Sequence, residues 1–244
     1  FVQAHVLKHE FGMHPLTVTW APHIYTDWGW KNMQSWIHAG FDNILVTPNG
    51  RVHRLLTRLA TELMFHPFQP FVFGQKVLPV RMAIQYGIPL VFYGDHGSEW
   101  GLPKEMATDP RVEYSYFTKS ETDNLFLGGT PTTDLKSHFG LDNNDLSIYM
   151  PVEEKDLNGI DLEFYALGYF LNWHPQGNYY YAVEHSDFQP SPERNPGSYG
   201  KYASLDDKID DFNFYTMHTK FGVGRAMTDA AQEVRAKDIS LEEG

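Results

Sequence analysis

Over its first hundred residues the chain alternates helical and extended patterns, and this alternation restricts the fold more than any other feature. Apolar residues at 1, 4, 7 and 11 give a helical spacing that stops at Gly12. A β-branched run over 16–20 follows and is closed by Ala21-Pro22. A helical stretch over 27–39 ends at Gly40, and a strand over 43–47 ends at Pro48-Asn49-Gly50. Helices over 51–64 and 71–86 come next, the latter ended by Gly87, before a strand over 90–93. Helices joining strands through short connections predict an α/β fold with a parallel sheet. Right-handed crossovers would set the carboxyl ends of the strands on one edge, where such sheets bind ligands.

The second half changes character. Residues 101–150 are polar and punctuated by Gly, Pro and Thr, including Leu127-Gly-Gly-Thr-Pro-Thr-Thr133, and read as an insertion or lid. This divides the chain into an α/β core (1–100), the insertion (101–150) and a mainly helical C-terminal region for substrate or partner (151–244). Within that last region we expect a strand over 162–171, an aromatic helix over 175–185, a loop over 187–204, and helices over 205–221 and 226–236. The first helix starts without a cap, and Ser240-Leu-Glu-Glu243 is a capping box that opens a helix. Both ends therefore read as truncated, as in an internal piece of a longer protein.

Composition narrows the partners. With 244 residues, 42% of them hydrophobic, a sizeable core is available. The net charge of -12 argues against a nucleic-acid partner. Cysteine is absent, so disulfides and thiolate metal sites are excluded within these residues, which suits a cytoplasmic protein. No apolar run approaches the ~20 residues that span a bilayer. Aromatic residues make up 15% of the chain and suit either a Tyr- and Phe-rich core, the favoured reading, or a surface for sugars or bases.

Chemistry is expected first in Ile88-Pro-Leu-Val-Phe-Tyr-Gly-Asp-His-Gly-Ser-Glu-Trp-Gly101. An apolar strand there runs into a loop where Gly94 permits close approach and Asp95 and Glu99 offer carboxylates to a metal or ribose. Thr19-Trp20 and Thr47-Pro-Asn-Gly50 end the other strands, and the three loops together suggest a nucleotide site. Phe73-Gly74-Gln75-Lys76 begins a helical stretch that could meet an anion. Lys220-Phe-Gly-Val-Gly-Arg225 could hold phosphate or be a plain helix connection, and Asp229 and Arg235 beyond it could form ion pairs. His5 and His9 have the spacing of a metal-binding face, but no third ligand is placed, and a solvent-facing pair is the better reading.

Several segments carry a family resemblance: Gly12-Met-His-Pro-Leu-Thr-Val-Thr-Trp-Ala-Pro-His-Ile-Tyr-Thr26, Gly40-Phe-Asp-Asn43, Thr47-Pro-Asn-Gly-Arg-Val-His-Arg54, Pro67-Phe-Gln-Pro70, Ile88-Pro-Leu-Val-Phe-Tyr-Gly94, Asp206-Asp-Lys-Ile-Asp210 and Lys220-Phe-Gly-Val-Gly-Arg-Ala226. Together they resemble the N-acetyl sugar amidotransferases of bacterial surface-polysaccharide and flagellar-sugar biosynthesis, over nearly the whole chain. That family belongs to the PP-loop ATP pyrophosphatases, which implies a HUP-like parallel-sheet core with helices on both faces. The family's Ser-Gly-Gly-Lys-Asp-Ser loop, first strand and upstream zinc-binding cysteines are not in this sequence.

The resemblance implies ATP and Mg²⁺ as cofactors, a nucleotide-linked or free N-acetyl sugar as substrate, and a separate glutaminase subunit as ammonia source. A homo-oligomer is also compatible. It further implies that Thr19 and Trp20 lie near adenine, Gly94 and Asp95 near ribose and phosphates, and Gly74, Gln75 and Lys76 near the phosphates. Asp95 and Glu99 would hold Mg²⁺, while Lys220 and Arg225 would bind the anionic sugar or pyrophosphate. Asp95, Lys76 and Arg225 would take the catalytic roles, and residues 179–181, three tyrosines, could stack on sugar or pack in the core. Two alternatives stay open: another adenylating PP-loop enzyme, of the NAD-synthase or tRNA-modifying kind, and a non-catalytic nucleotide- or sugar-binding fragment.

Overall fold

A computed structural model describes residues 1–94, 108–112, 125–157, 160–171 and 173–244. In chain order the first elements are α1 (Val2–His9), β1 (Thr17–Trp20), α2 (Asp27–His38), β2 (Asn43–Val46), α3 (Gly50–Met64), α4 (Gln69–Tyr86) and β3 (Leu90–Tyr93). The expected alternation is present, with boundaries set by local chemistry. Thr26 caps α2 by accepting from the Gly29 N–H at 2.8 Å, and Asn49 caps α3 by accepting from Arg51. Gly87 ends α4 in the left-handed conformation (φ 64°), with the Ile88 N–H returning to the Ala83 carbonyl.

The C-terminal elements are β4 (Phe126–Leu127), β5 (Thr130–Pro131), α5 (Thr132–Phe139), α6 (Asn143–Ser147), β6 (Glu163–Ala166), α7 (Leu167–Phe170), α8 (Pro175–His185), α9 (Asp210–Phe221) and α10 (Arg225–Ala236). Two are shorter than expected. The strand over 162–171 is confined to β6, because the chain passes into α7 at Leu167, with the Gly168 N–H donating to the Gly94 carbonyl at 2.9 Å. The helix over 205–221 begins only at Asp210, because Asp207 bridges to Tyr25 and its carboxylate accepts from the Ile209 N–H.

The fold is α/β, with two separate parallel ribbons among the described residues. β1 pairs with β2 in the register Thr17 to Asn43, and β3 pairs with β6 in the register Leu90 to Glu163. A helix, α4, lies between two cores and packs on both β1 and β3. One core gathers Trp20, Val52, Leu56 and Leu78; the other gathers Val80, Ala83, Val91 and Phe164. The first core also takes Leu127, Leu135, Leu146 and Tyr149 from the stretch read as an insertion or lid. Leu56 and Leu135 are fully enclosed, which contributes about 1.5–3 kcal/mol each. The hairpin that delivers Leu127 turns on Gly128 and Gly129, both at positive φ. A Cβ on Gly128 would stand 2.7 Å from the Leu56 carbonyl oxygen, so the turn presses directly on α3.

No helix among the described residues is long and apolar enough to cross a membrane.

Candidate functional site at the end of β1

A cavity of about 640 Å³ opens where β1 ends, within the size range of small-ligand sites. Its walls come from β1 (Thr19), α2 (Asn32, Trp36), α8 (Asn178, Tyr179), α10 (Arg225) and the 202–206 loop. The walls are mostly apolar and aromatic, with a few polar groups between them. Tyr179 and Tyr202 stack with ring centroids 4.7 Å apart and planes within 9°. The Tyr202 hydroxyl donates to Glu233 at 2.7 Å, and burial raises its pKa, so this ring is a neutral wall at physiological pH.

Close packing sets the position of the loop. A Cβ on Gly29 would fall 2.4 Å from the Asp206 Cα, so only glycine lets α2 meet the loop this tightly. Thr26 donates to the Leu205 carbonyl, and the Thr26 N–H donates to the Asp206 carbonyl at 3.1 Å. Asp206 is thereby fixed on the lining.

Arg225 is held from behind. Its Nε donates to Asp229 Oδ1 at 2.6 Å, and the other Asp229 oxygen accepts from the Tyr199 N–H at 3.2 Å. An anion entering the cavity would meet a guanidinium already partly neutralised by Asp229. Recognition there would depend on directed N–H donors more than on net charge. Asp210, at the start of α9, is pushed up to about 7 by burial and by the nearby Asp206 and Asp207, against a pull from Arg225.

Beneath the loop lies a buried polar cluster. Asp207 accepts from the His23 N–H at 2.6 Å and pairs with His23 Nδ1 at 2.7 Å, with side chains 2% and 6% exposed. Burial raises the Asp207 carboxyl, but hydrogen bonds from His23 and Ile209 outweigh it and hold the group below the usual carboxylate range. The His23 and His53 rings lie 4.7 Å apart, and His53 Nδ1 shares a 2.9 Å hydrogen bond with the Tyr149 hydroxyl.

The residues singled out from sequence divide into three groups. Thr19, Tyr179 and Arg225 meet at the cavity. Asp95 and Glu99 lie outside the described residues. The others are elsewhere. Trp20 is buried in the first core, edge-on to Tyr149, with Gly74 pressed against its ring. Gly74, Gln75 and Lys76 do not begin a helix: α4 starts at Gln69, with Pro70 in its first turn, so they sit inside it. Lys76 accepts through its carbonyl from the Tyr93 hydroxyl. Gly94 ends β3 against the Gln3 amide. Lys220 donates to the Met64 carbonyl at 2.8 Å, and Gly222 and Gly224 are the C-cap of α9 and the N-cap of α10. The Thr47-Pro-Asn-Gly50 loop caps α3. His5 and His9 are not a simple solvent-facing pair, because His5 is half-buried against Tyr181 and His185 of α8.

Sequence reading gave no role to Trp36, Trp173, Phe188 or Tyr202, which share the cavity wall. Their convergence depends on long-range packing, and only the overall richness in aromatic residues pointed toward it. Among the described residues no three His, Asp or Glu side chains come together in a way that could hold a metal ion. No protein-family model matches the chain, and no curated protein matches it.

Proposed function

We propose that the cavity at the end of β1 binds a nucleotide, and that the chain belongs to a cytoplasmic ATP-dependent amidotransferase acting on an N-acetyl sugar. The observation that carries this reading is the meeting of Thr19, Tyr179 and Arg225 on one aromatic-walled cavity at the carboxyl end of a parallel strand. The sequence resemblance supplies the reaction, and a PP-loop core is part of the same proposal. The cavity suits ATP: aromatic walls offer a face to the base, and Arg225 offers donors to a phosphate.

In the proposed reaction the acetamido oxygen attacks the α-phosphorus of ATP and pyrophosphate leaves. Ammonia then adds to the activated carbon, and AMP departs with the oxygen, leaving an acetamidino group. Adenylation is needed because an amide oxygen is a poor leaving group. Arg225, fixed by Asp229, would hold the anionic pyrophosphate or sugar phosphate as charge develops. Mg²⁺ would neutralise phosphate charge. Its expected ligands, Asp95 and Glu99, lie outside the described residues.

The test is AMP release from ATP with Mg²⁺, a UDP-linked N-acetylhexosamine and ammonium chloride, which replaces a glutaminase. AMP formed only when all are present is the expected result. Arg225→Met should lower it about tenfold or more, the cost of one charge-assisted contact. ATP binding without AMP release would assign the cavity to binding alone. Absence of binding would overturn the nucleotide reading.

A further inference from the structure

Every residue from Tyr202 to Asp207 is tied to the rest of the chain. The Tyr202 hydroxyl donates to Glu233, and the Asn195 side chain donates to the carbonyls of Ala203 and Ser204. Thr26 reaches the Leu205 carbonyl through its hydroxyl and the Asp206 carbonyl through its N–H, and His23 secures Asp207. Ser204 is held in the left-handed region at φ 52°, which residues other than glycine seldom occupy. Such a conformation persists only where the surroundings over-determine it, and it gathers at ligand sites. Against this background one side chain stands apart. Asp206 lines the cavity at the end of β1, and among the described residues the only hydrogen bond to its carboxylate comes from its own N–H. It is open to the cavity yet surrounded by protein on most sides, and this burial raises its carboxyl, opposed by its own N–H and helped by Asp207. A rigid loop thus presents a carboxylate whose acceptor capacity is unused.

Three other residues of the same wall carry a buried polar atom with no partner among the described residues: the Tyr25 hydroxyl, Trp36 Nε1 and Asn178 Nδ2. The indole and amide nitrogens can only donate. Burial, and then the nearby Asp206, raise the Tyr25 pKa, so its hydroxyl also keeps its proton. A ligand ammonium would answer Asp206 but offers no acceptor to these donors. A phosphate offers acceptors but is repelled by Asp206. A hydroxyl does both, donating to a carboxylate and accepting from an N–H, and the two carboxylate oxygens can take two neighbouring hydroxyls together. We propose that Asp206 accepts from two adjacent hydroxyls of the ligand, so that the cavity selects a molecule bearing a vicinal diol. The diol is the ribose of a nucleotide or the pyranose ring of a sugar. The ribose source rests on the nucleotide reading above, and the assignment of Asp206 does not.

Calorimetric titration tests both sources with matched pairs. ATP is compared with 2′-deoxy-ATP, and N-acetylglucosamine 1-phosphate, which has no ribose, with its 4-deoxy form. The wild-type chain should bind ATP about tenfold or more tighter than 2′-deoxy-ATP, the effect of one charge-assisted hydrogen bond. Asp206→Ala should abolish that preference by weakening ATP alone, because the deoxy form has no such contact to lose. A selective loss in the nucleotide pair assigns the diol to ribose, and a selective loss in the sugar pair assigns it to a pyranose. If neither nucleotide binds, the nucleotide reading falls by itself and the sugar pair decides the role of Asp206. Equal losses for the hydroxyl and deoxy forms would mean that Asp206 only shapes the loop. That result, or the absence of any selective loss in both pairs, overturns the proposal. Should Asp206→Ala not fold, Asp206→Asn keeps the shape of the side chain without its charge and is read in the same way.

Discussion

Two histidine clusters in the molecule are built on opposite principles. The inner one joins His23 and His53 to Asp207 and Tyr149, and the hydrogen-bonded His23–Asp207 pair at its centre is almost completely enclosed. The outer one sets His5 of α1 against a tilted His9 ring and stacks it on His185 of α8, with centroids 4.2 and 4.8 Å apart, and binds His5 to the Tyr181 hydroxyl at 2.7 Å. In the inner cluster a carboxylate organises the rings and the backbone N–H groups around it. Among the described residues no carboxylate is hydrogen-bonded to the rings of the outer cluster, and the neighbours of His5 are mostly like-charged should they protonate. Burial, then His9 and His185, lower the His5 pKa, and Lys8 adds to this while Glu10 opposes it. The same side chain is thus a structural anchor in one place and a site of weak repulsion in the other, and the difference lies in the partner.

The comparison breaks most severely at Asp207. Asp207→Ala removes the acceptor for His23 Nδ1 and for the N–H groups of His23, Ile24 and Ile209. Leaving these enclosed donors without their acceptor costs about 3–5 kcal/mol in all. Urea denaturation at pH 7 should show a loss of that size, and a loss below about 1 kcal/mol would show that the pair is not an anchor. The sign with pH follows from the lowered carboxyl. Its stabilisation is present above the unfolded Asp value and is lost as pH falls through the lower folded value.

A smaller effect separates two opposing contributions beside this pair. Burial, with a lesser push from His23, lowers His53 to about 4, against a weaker opposing pull from Asp207. The unfolded chain therefore binds more protons between about 4 and 6.5, and this group makes stability rise with pH across that window. Asp210, raised to about 7 from 3.8, does the reverse, because the folded state keeps a proton that the unfolded state has lost. The two offset each other over most of the same range. Asp210→Asn should unmask the His53 slope and add on the order of 2 kcal/mol at pH 8, with no gain below pH ~4. A variant with the wild-type pH profile would remove Asp210 from the balance.

The clusters also show where sequence stops being informative. Elements in the first 94 residues were legible because caps, breakers and periodicity act over a few residues: Asn49, Gly40 and Gly87 mark their helix ends without reference to the rest of the chain. His5 and His9 were legible as a pair for the same reason. His185 was not, since its approach depends on how α8 packs on α1. Asp207 could not be assigned to His23, because nothing local joins residues so far apart in the chain. The candidate site divides in the same way. Thr19, singled out by the rule that ligands gather at strand ends, and Arg225, singled out from the glycines between Lys220 and Arg225 and then from the resemblance, line one cavity. Trp20, singled out at the same strand end, and Lys76, expected at a helix start, lie elsewhere, because alternate residues of a strand face opposite sides and α4 already starts at Gln69. The hairpin at Gly128–Gly129 lies in the stretch read as an insertion or lid, yet its conformation drives Leu127 into the core.

The outer cluster gives the smallest expected change and the most direct reading of the difference between the two. His185→Ala removes one stacked ring and one like charge from His5, and it lessens the burial of His5 as well. Both changes act in the same direction, so the His5 pKa should rise toward the ordinary histidine value of 6.5. Because His185 is exposed, stability at pH 7 should stay within about 0.5 kcal/mol of wild type. NMR titration of the His5 ring protons reads this directly, with Glu10 and Lys8 left in place as constant influences. A His5 pKa that stays put or falls would mean that His185 exerts no repulsion, and that the Tyr181 hydrogen bond governs the ring. If it rises, then a stacked histidine without a carboxylate acts as a penalty on its neighbour's charge, where the inner cluster turns the same stacking into a fixed joint by placing Asp207 behind it.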